Sequence, residues 1–164
     1  MKKLLVILGI LILLGGCNQV DDMMNPSEDE LMKNVNPEVV MEMDFDLVGE
    51  LIDVTKGEIQ GINTNGNAKG VSQASFNGES YNLLATFENL PDPQGSDFYE
   101  GWIVRKGVKF NVLSSGKAEK IDGKYVNMYA SGKDLTDHTF YVLTIEPDDG
   151  DPAPAGHVLE GTMK

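Results

Sequence analysis

Two dipeptides, Asn77-Gly78 and Asp122-Gly123, constrain this chain more than any other feature. Each lies between strand-like runs: VSQASF and YNLLATF flank the first, KI and KYVNMYA the second. Asn-Gly and Asp-Gly tolerate the positive φ that a tight hairpin turn requires, so both read as turns between antiparallel strands. After the first turn, Tyr81, Leu83, Ala85 and Phe87 alternate with Asn82, Thr86 and Glu88, the period of a half-buried strand. Leu84 breaks that alternation and calls for partial cover on the second face. The run HTFYVLTIE, residues 138–146, is apolar on both faces and predicts a central strand. Further strands are predicted near 45–54, 98–105, 108–114 and 156–163. Turn residues recur every 8–15 positions, and no sustained 3.6-residue period follows residue 44. The fold class predicted is all-β: an antiparallel β-sandwich of immunoglobulin-like size, with a barrel as the other closure.

The N-terminus locates the chain. Lys2 and Lys3 precede an apolar run, Leu4–Leu14, of signal-peptide length. A transmembrane helix needs about 20 apolar residues, more than this run holds. The run ends Leu14-Gly15-Gly16-Cys17, which resembles the bacterial lipobox, where a small residue precedes a cysteine that is acylated and becomes the mature N-terminus. Residues 1–16 are thus predicted to be a lipoprotein signal peptide and Cys17 its lipidation site. A plain secretory signal and a short uncleaved anchor are the other readings, and all three place the rest outside the cytoplasm. Acyl chains on Cys17 would hold the chain on membrane lipid at about 0.8 kcal/mol per buried CH2. Cys17 is the single cysteine, so no internal disulfide forms.

Residues 17–43 read as the acidic tether that follows, and 44–164 as one domain with its own core. Ser27-Glu28-Asp29-Glu30 has capping-box form and allows a short helix over 28–34. As a flexible coil the tether would separate domain and membrane by roughly 25–30 Å. The chain carries 13 basic and 26 acidic residues, a net charge of −13, and two of the lysines lie in the leader. That balance excludes nucleic acid and argues against charge-driven binding of anionic lipid, both of which need basic patches. It leaves cationic partners, metal ions, or simply a well-solvated surface.

"NLPDPQGSDFYEGWIVRKG" and the later "YVLTIEPDDGDPAPAGHVLEG" carry a resemblance. They are similar to the C-terminal domain of anti-sigma-K factors, whose pattern runs L-P-x-P-x-G-x-x-Y-x-x-W-x-V and then T-x-E-P-x-G-x-x-x-P-x-G. Leu90, Pro91, Pro93, Gly95, Tyr99, Trp102 and Val104 meet the first part, and Thr144, Glu146, Pro147, Gly150, Pro154 and Gly156 the second. The likeness spans roughly residues 45–163. It implies an extracytoplasmic module that receives signals or contacts other envelope components. The sigma-binding domain and transmembrane helix of complete anti-sigma factors are not found in this sequence, so no direct sigma-factor contact is expected. The resemblance carries fold and location further than activity.

Candidate site residues are few. On a strand, Trp102 shares a face with Glu100 and Val104, and Tyr99 with Gly101 and Ile103. Tyr and Trp are frequent at binding hot spots and equally frequent as core fillers, so Tyr99, Glu100 and Trp102 are either a recognition surface or scaffold. Gly101 between them marks a bulge or a crowding neighbour. Asp148, Asp149 and Asp151 crowd one corner, which suits either Ca2+ or a solvated turn; the spacing is not that of an EF-hand. His157 and His138 stand at the starts of predicted strands without a cysteine partner. Ser72, Ser75, Ser114 and Ser115 lie outside any G-x-S-x-G elbow, so nothing points to nucleophilic catalysis. The sequence therefore predicts a lipid-anchored, non-enzymatic binding or sensing module on the extracytoplasmic face of the cell membrane. No cofactor is expected, with Ca2+ as the single candidate, and its partner would be an envelope or membrane protein. The alternatives are a structural, self-assembling envelope subunit and a calcium-dependent module.

Overall fold

A computed structural model describes residues 43–164; the predicted signal peptide, Cys17, the predicted tether up to residue 42 and the predicted short helix over 28–34 lie outside the described residues. The described residues form nine strands and no helix: β1 (Leu47–Asp53), β2 (Lys69–Phe76), β3 (Tyr81–Glu88), β4 (Phe98–Arg105), β5 (Asn111–Lys117), β6 (Glu119–Ile121), β7 (Lys124–Ser131), β8 (Phe140–Glu146) and β9 (Gly156–Thr162). Every pairing is antiparallel, and the order across the sheet is β5-β4-β8-β9-β1-β2-β3-β7-β6. The all-β antiparallel class is what folds, and its facing layers belong to one curled sheet.

The curl nearly closes into a barrel because one stretch of chain serves both ends. β5 pairs with β4 at one end of the order, and after a single residue, Ala118, β6 pairs with β7 at the other. The bend falls at Gly116, whose φ of 87° is open to glycine. Where β5 and β7 part, a side chain replaces the backbone ladder. Asn127 of β7 is fully buried and its Nδ2 donates to the carbonyls of Ser115 (3.2 Å) and Gly116 (2.9 Å). Its Oδ1 accepts from Ser115 Oγ (2.7 Å) and from the Tyr141 hydroxyl (2.9 Å). Burial holds that phenol strongly in its protonated, donating form.

Ser115 is the extra residue of a bulge opposite Gly101/Trp102. A Cβ on Gly101 would collide with Asn127 Oδ1, Tyr141 Oη and Ser115 Oγ. Both reasons for a glycine there, the bulge and the crowding, therefore hold at once.

Alternation along the strands fills the interior. Leu51, Ala74, Tyr81, Leu83, Phe87, Tyr99, Ile103, Tyr141, Leu143, Ile145 and Leu159 form one core. Ile62, from the β1–β2 connection, and Leu135, from the β7–β8 connection, plug it from opposite ends. The β1–β2 connection is tied down by Asp53, whose Oδ1 accepts from Thr55 N (2.9 Å) and Oγ1 (2.6 Å) and whose Oδ2 accepts from Ala68 N (3.1 Å). Burial alone would raise this carboxyl, but those bonds together hold it below the ordinary aspartate range.

Both hairpins form where expected, with different chemistry. Asp122-Gly123 is a two-residue loop with φ of 49° and 80°, as a type I′ turn requires. The first turn spans residues 77–80, and there Asn77 acts through its side chain. Its Oδ1 accepts from Glu79 N (3.0 Å) and Ser80 N (2.8 Å), a local cap on the turn backbone. Leu84 points outward into a small cluster with Val126, Phe45, Ile121 and Met128, the cover its broken alternation demanded. β8 is central, between β4 and β9. β5 begins three residues after the predicted 108, because residues 106–110 form the turn that precedes it.

Candidate functional site

The outer face of β4, β8 and β9 carries the most unusual surface. Trp102 is 6 % exposed yet lies outside the barrel core, packed with Val104, Val142, Val112 and Phe140. Its Nε1 donates to Thr144 Oγ1 (2.8 Å), which satisfies the indole on a face that would ordinarily be wet. A groove of about 250 Å³ runs over this cluster, closed at its margins by Phe110, Lys106, Pro154 and His157.

The local sequence explains the arrangement. A bulge between Leu143 and Thr144 inserts Val158 into the ladder, so Val158 and Leu159 both face the core. His157 therefore sits opposite Thr144 on the outer face, its side chain 46 % exposed and its Nδ1 2.6 Å from Glu160 Oε1. Pro147 ends β8, and the loop folds back so that Ala155 N donates to the buried Glu146 Oε1 (2.9 Å). That fold brings Pro154 to the groove. Lys106 lays its ammonium 3.0 Å above the centre of the Phe140 ring, covering one wall.

The sequence-predicted residues divide. Trp102 and His157 meet in the groove. Glu100 lies beside it on the same face, its carboxylate accepting from Ser114 Oγ. Tyr99 does not belong to the surface: it is 1 % exposed in the barrel core, and its hydroxyl donates to the Pro91 carbonyl (2.8 Å). The alternation of β4 sends odd positions inward, which is the physical reason for this correction.

Asp148, Asp149 and Asp151 stand exposed in the β8–β9 loop. Asp149 Oδ1 accepts from Asp151 N (2.9 Å) and Asp151 Oδ1 from Ala153 N (3.0 Å), the bonds of successive turns. Among the described residues no three His, Cys, Asp or Glu side chains converge as a metal ion requires. His138 is buried, with Nδ1 2.7 Å from Asp137 Oδ1 and Nε2 2.8 Å from Asn111 Oδ1. Asp137 in turn pairs with Arg105 at 2.8 Å, which first of all holds its carboxyl below the ordinary range. This chain of polar contacts joins the β7–β8 connection to the β4–β5 hairpin and leaves no ring nitrogen open to a ligand.

Sequence reasoning missed Phe110, Lys106, Phe140 and Pro154 as groove walls. Lys106 and Phe110 lie in a turn, where periodicity carries no face information. A second, shallower groove of about 590 Å³ lies over β1–β3, where Ile52 is 65 % and Val71 36 % exposed beside the Lys69–Glu88 pair (3.0 Å). No family model, no curated protein and no solved structure matches this chain.

Proposed function

We propose that this chain is a lipid-anchored extracytoplasmic protein whose barrel is a non-catalytic binding or sensing module of the anti-sigma-K C-terminal type. The Trp102 groove is the surface that meets an envelope or membrane protein. One observation carries the reading. The single tryptophan is nearly buried on the outside of the barrel, in an apolar groove with an exposed histidine and proline at its rim. A ring placed there does nothing for the main core, while aromatic groups seated in a desolvated pocket beside a polar rim are the form of a protein-binding hot spot. The leader, lipobox and acidic tether support the location, and the two quoted motifs support the family resemblance.

The test is site-specific photo-cross-linking in cells, with the reactive group at Pro154 or His157 in the groove and at Asp122 on a distant turn. A membrane protein captured from the groove positions, not from 122, and lost on Trp102→Ala, is the expected result. Equal capture from all three positions refutes the groove. The exposed stripe of Val48, Ile52 and Val71 on β1 and β2 favours a second reading, a self-assembling envelope subunit. Capture of a second copy through that stripe alone would select it.

A further inference from the structure

The β4–β5 turn, residues 106–110, is the most exposed apolar feature among the described residues, with Val108 fully exposed and Phe110 67 % exposed. It is also basic, in a chain of net charge −13: Arg105, Lys106 and Lys109 occupy three of five consecutive positions. Arg105 is held by Asp137 and by the Lys109 carbonyl (2.7 Å), which fixes the turn and leaves Lys106 and Lys109 as its surplus charge.

Strand register places this tip at one end of the barrel. Val104 lies opposite Phe140, Phe140 opposite Thr162, and Lys164 exchanges backbone bonds with Val48 at the start of β1. The chain thus enters β1 from residue 43 at the same end as the tip. Asp44, Asp46, Glu79 and Asp134 share that end, with Lys133 and Lys164 set against them. The acidic β8–β9 loop, with Asp148, Asp149 and Asp151, and the Asp122 turn lie at the far end.

We infer that the β4–β5 tip, through Lys106, Val108, Lys109 and Phe110, docks the barrel onto an anionic phospholipid bilayer. Basic side chains flanking exposed apolar ones suit the headgroup boundary, where charge meets phosphate and the apolar groups enter the acyl edge. The net charge of the domain does not cancel this. Asp148 and Asp149 follow the end of β8, about 20 Å along the strand from the tip and beyond a Debye length at physiological salt, while the Pro154 segment of that loop returns to the groove. The anchor reading enters only as orientation: an acylated Cys17 would deliver the chain to the end of the barrel that carries the tip.

Hydrogen exchange on the full chain, bound to vesicles of pure phosphatidylcholine or of phosphatidylcholine with one quarter phosphatidylglycerol, tests this. Flotation of the same samples reports the anchor separately. The expected result is slowed exchange of the 106–110 amides on anionic vesicles alone, lost in high salt and in Val108→Asp/Lys109→Glu, with the 121–124 turn at the opposite end unchanged. Two lysines at an anionic surface correspond to about a thirtyfold preference for the docked state. Flotation on both vesicles with 106–110 exchange unaltered by phosphatidylglycerol overturns the inference and leaves the anchor standing. Flotation on anionic vesicles only, with the tip protected, supports the tip and removes the anchor; flotation on neither removes both. Protection that grows with protein concentration in the absence of vesicles overturns the inference in favour of a second copy.

Discussion

Replacing Asn127 by alanine tests whether the barrel is closed by a side chain. The carboxamide makes four buried hydrogen bonds, two received from Ser115 Oγ and Tyr141 Oη and two donated to the carbonyls of Ser115 and Gly116. Each such bond is worth about 1 kcal/mol net, and a buried group left without a partner costs about 1–3 kcal/mol. The two hydroxyls surround the same space over Gly101 and can turn toward each other, which recovers part of the loss. The two carbonyls have no such substitute. The expected destabilisation is therefore about 3–5 kcal/mol, a large share of the 5–15 kcal/mol typical of a domain. At about 4 °C per kcal/mol, Tm falls by about 12–20 °C.

Urea unfolding followed by Trp102 fluorescence and by far-ultraviolet circular dichroism measures this directly. Tyr141→Phe removes one of the four bonds and should cost about 1 kcal/mol, and the double variant should cost less than the sum of the singles because the groups form one network. A loss below about 1.5 kcal/mol for Asn127→Ala, with the urea slope unchanged, would refute closure through the amide.

Four further outcomes follow from the same geometry. Gly101→Ala should destabilise by about 1–3 kcal/mol or more through overpacking against that network, read by the same urea curves. Leu143→Ala, in the barrel core, should cost about 3–5 kcal/mol, while Leu84→Ala in the small outer cluster should cost about 2 kcal/mol; equal values would deny that the two clusters differ. The Asp53 carboxyl is held low in the folded state, so its contribution is present above the unfolded value near pH 4 and disappears as pH falls through and below it. Asp53→Asn should flatten that part of the stability–pH profile, and an unchanged acid limb would count against the tie. Thr144→Val should leave the Trp102 indole without its acceptor, costing about 1–2 kcal/mol and shifting the emission of the single tryptophan.

The strands were legible because their signals are local. β4 and β8 match the predicted 98–105 and 138–146 closely, and Asp122-Gly123 makes the turn its dipeptide demands. Leu84 showed that the outer face of β3 is covered, since an apolar residue out of phase is a local observation. What closes the sheet was not legible. β6 is three residues long, and the Ser115–Asn127–Tyr141 network joins residues distant in sequence, for which no period exists. The candidate site was half legible for the same reason. Strand alternation put Trp102 and Glu100 on one face and Tyr99 on the other. It could not decide which face was the interior, nor bring Phe110 and Pro154 from two loops to the same groove.

The continuous β5–β6 stretch would matter if the chain is held on a surface, as proposed. Proteins tethered to a bilayer are confined to two dimensions, where encounters are frequent and always in similar orientation. An open sheet under those conditions would offer its neighbours two templates for strand addition. Here the outermost strands, β5 and β6, are consecutive in the chain, and β5 lies against β7 across the seam, tied there by the Asn127 amide of β7. On the proposed membrane surface, a sheet closed in this way would offer its neighbours no long open edge for strand addition.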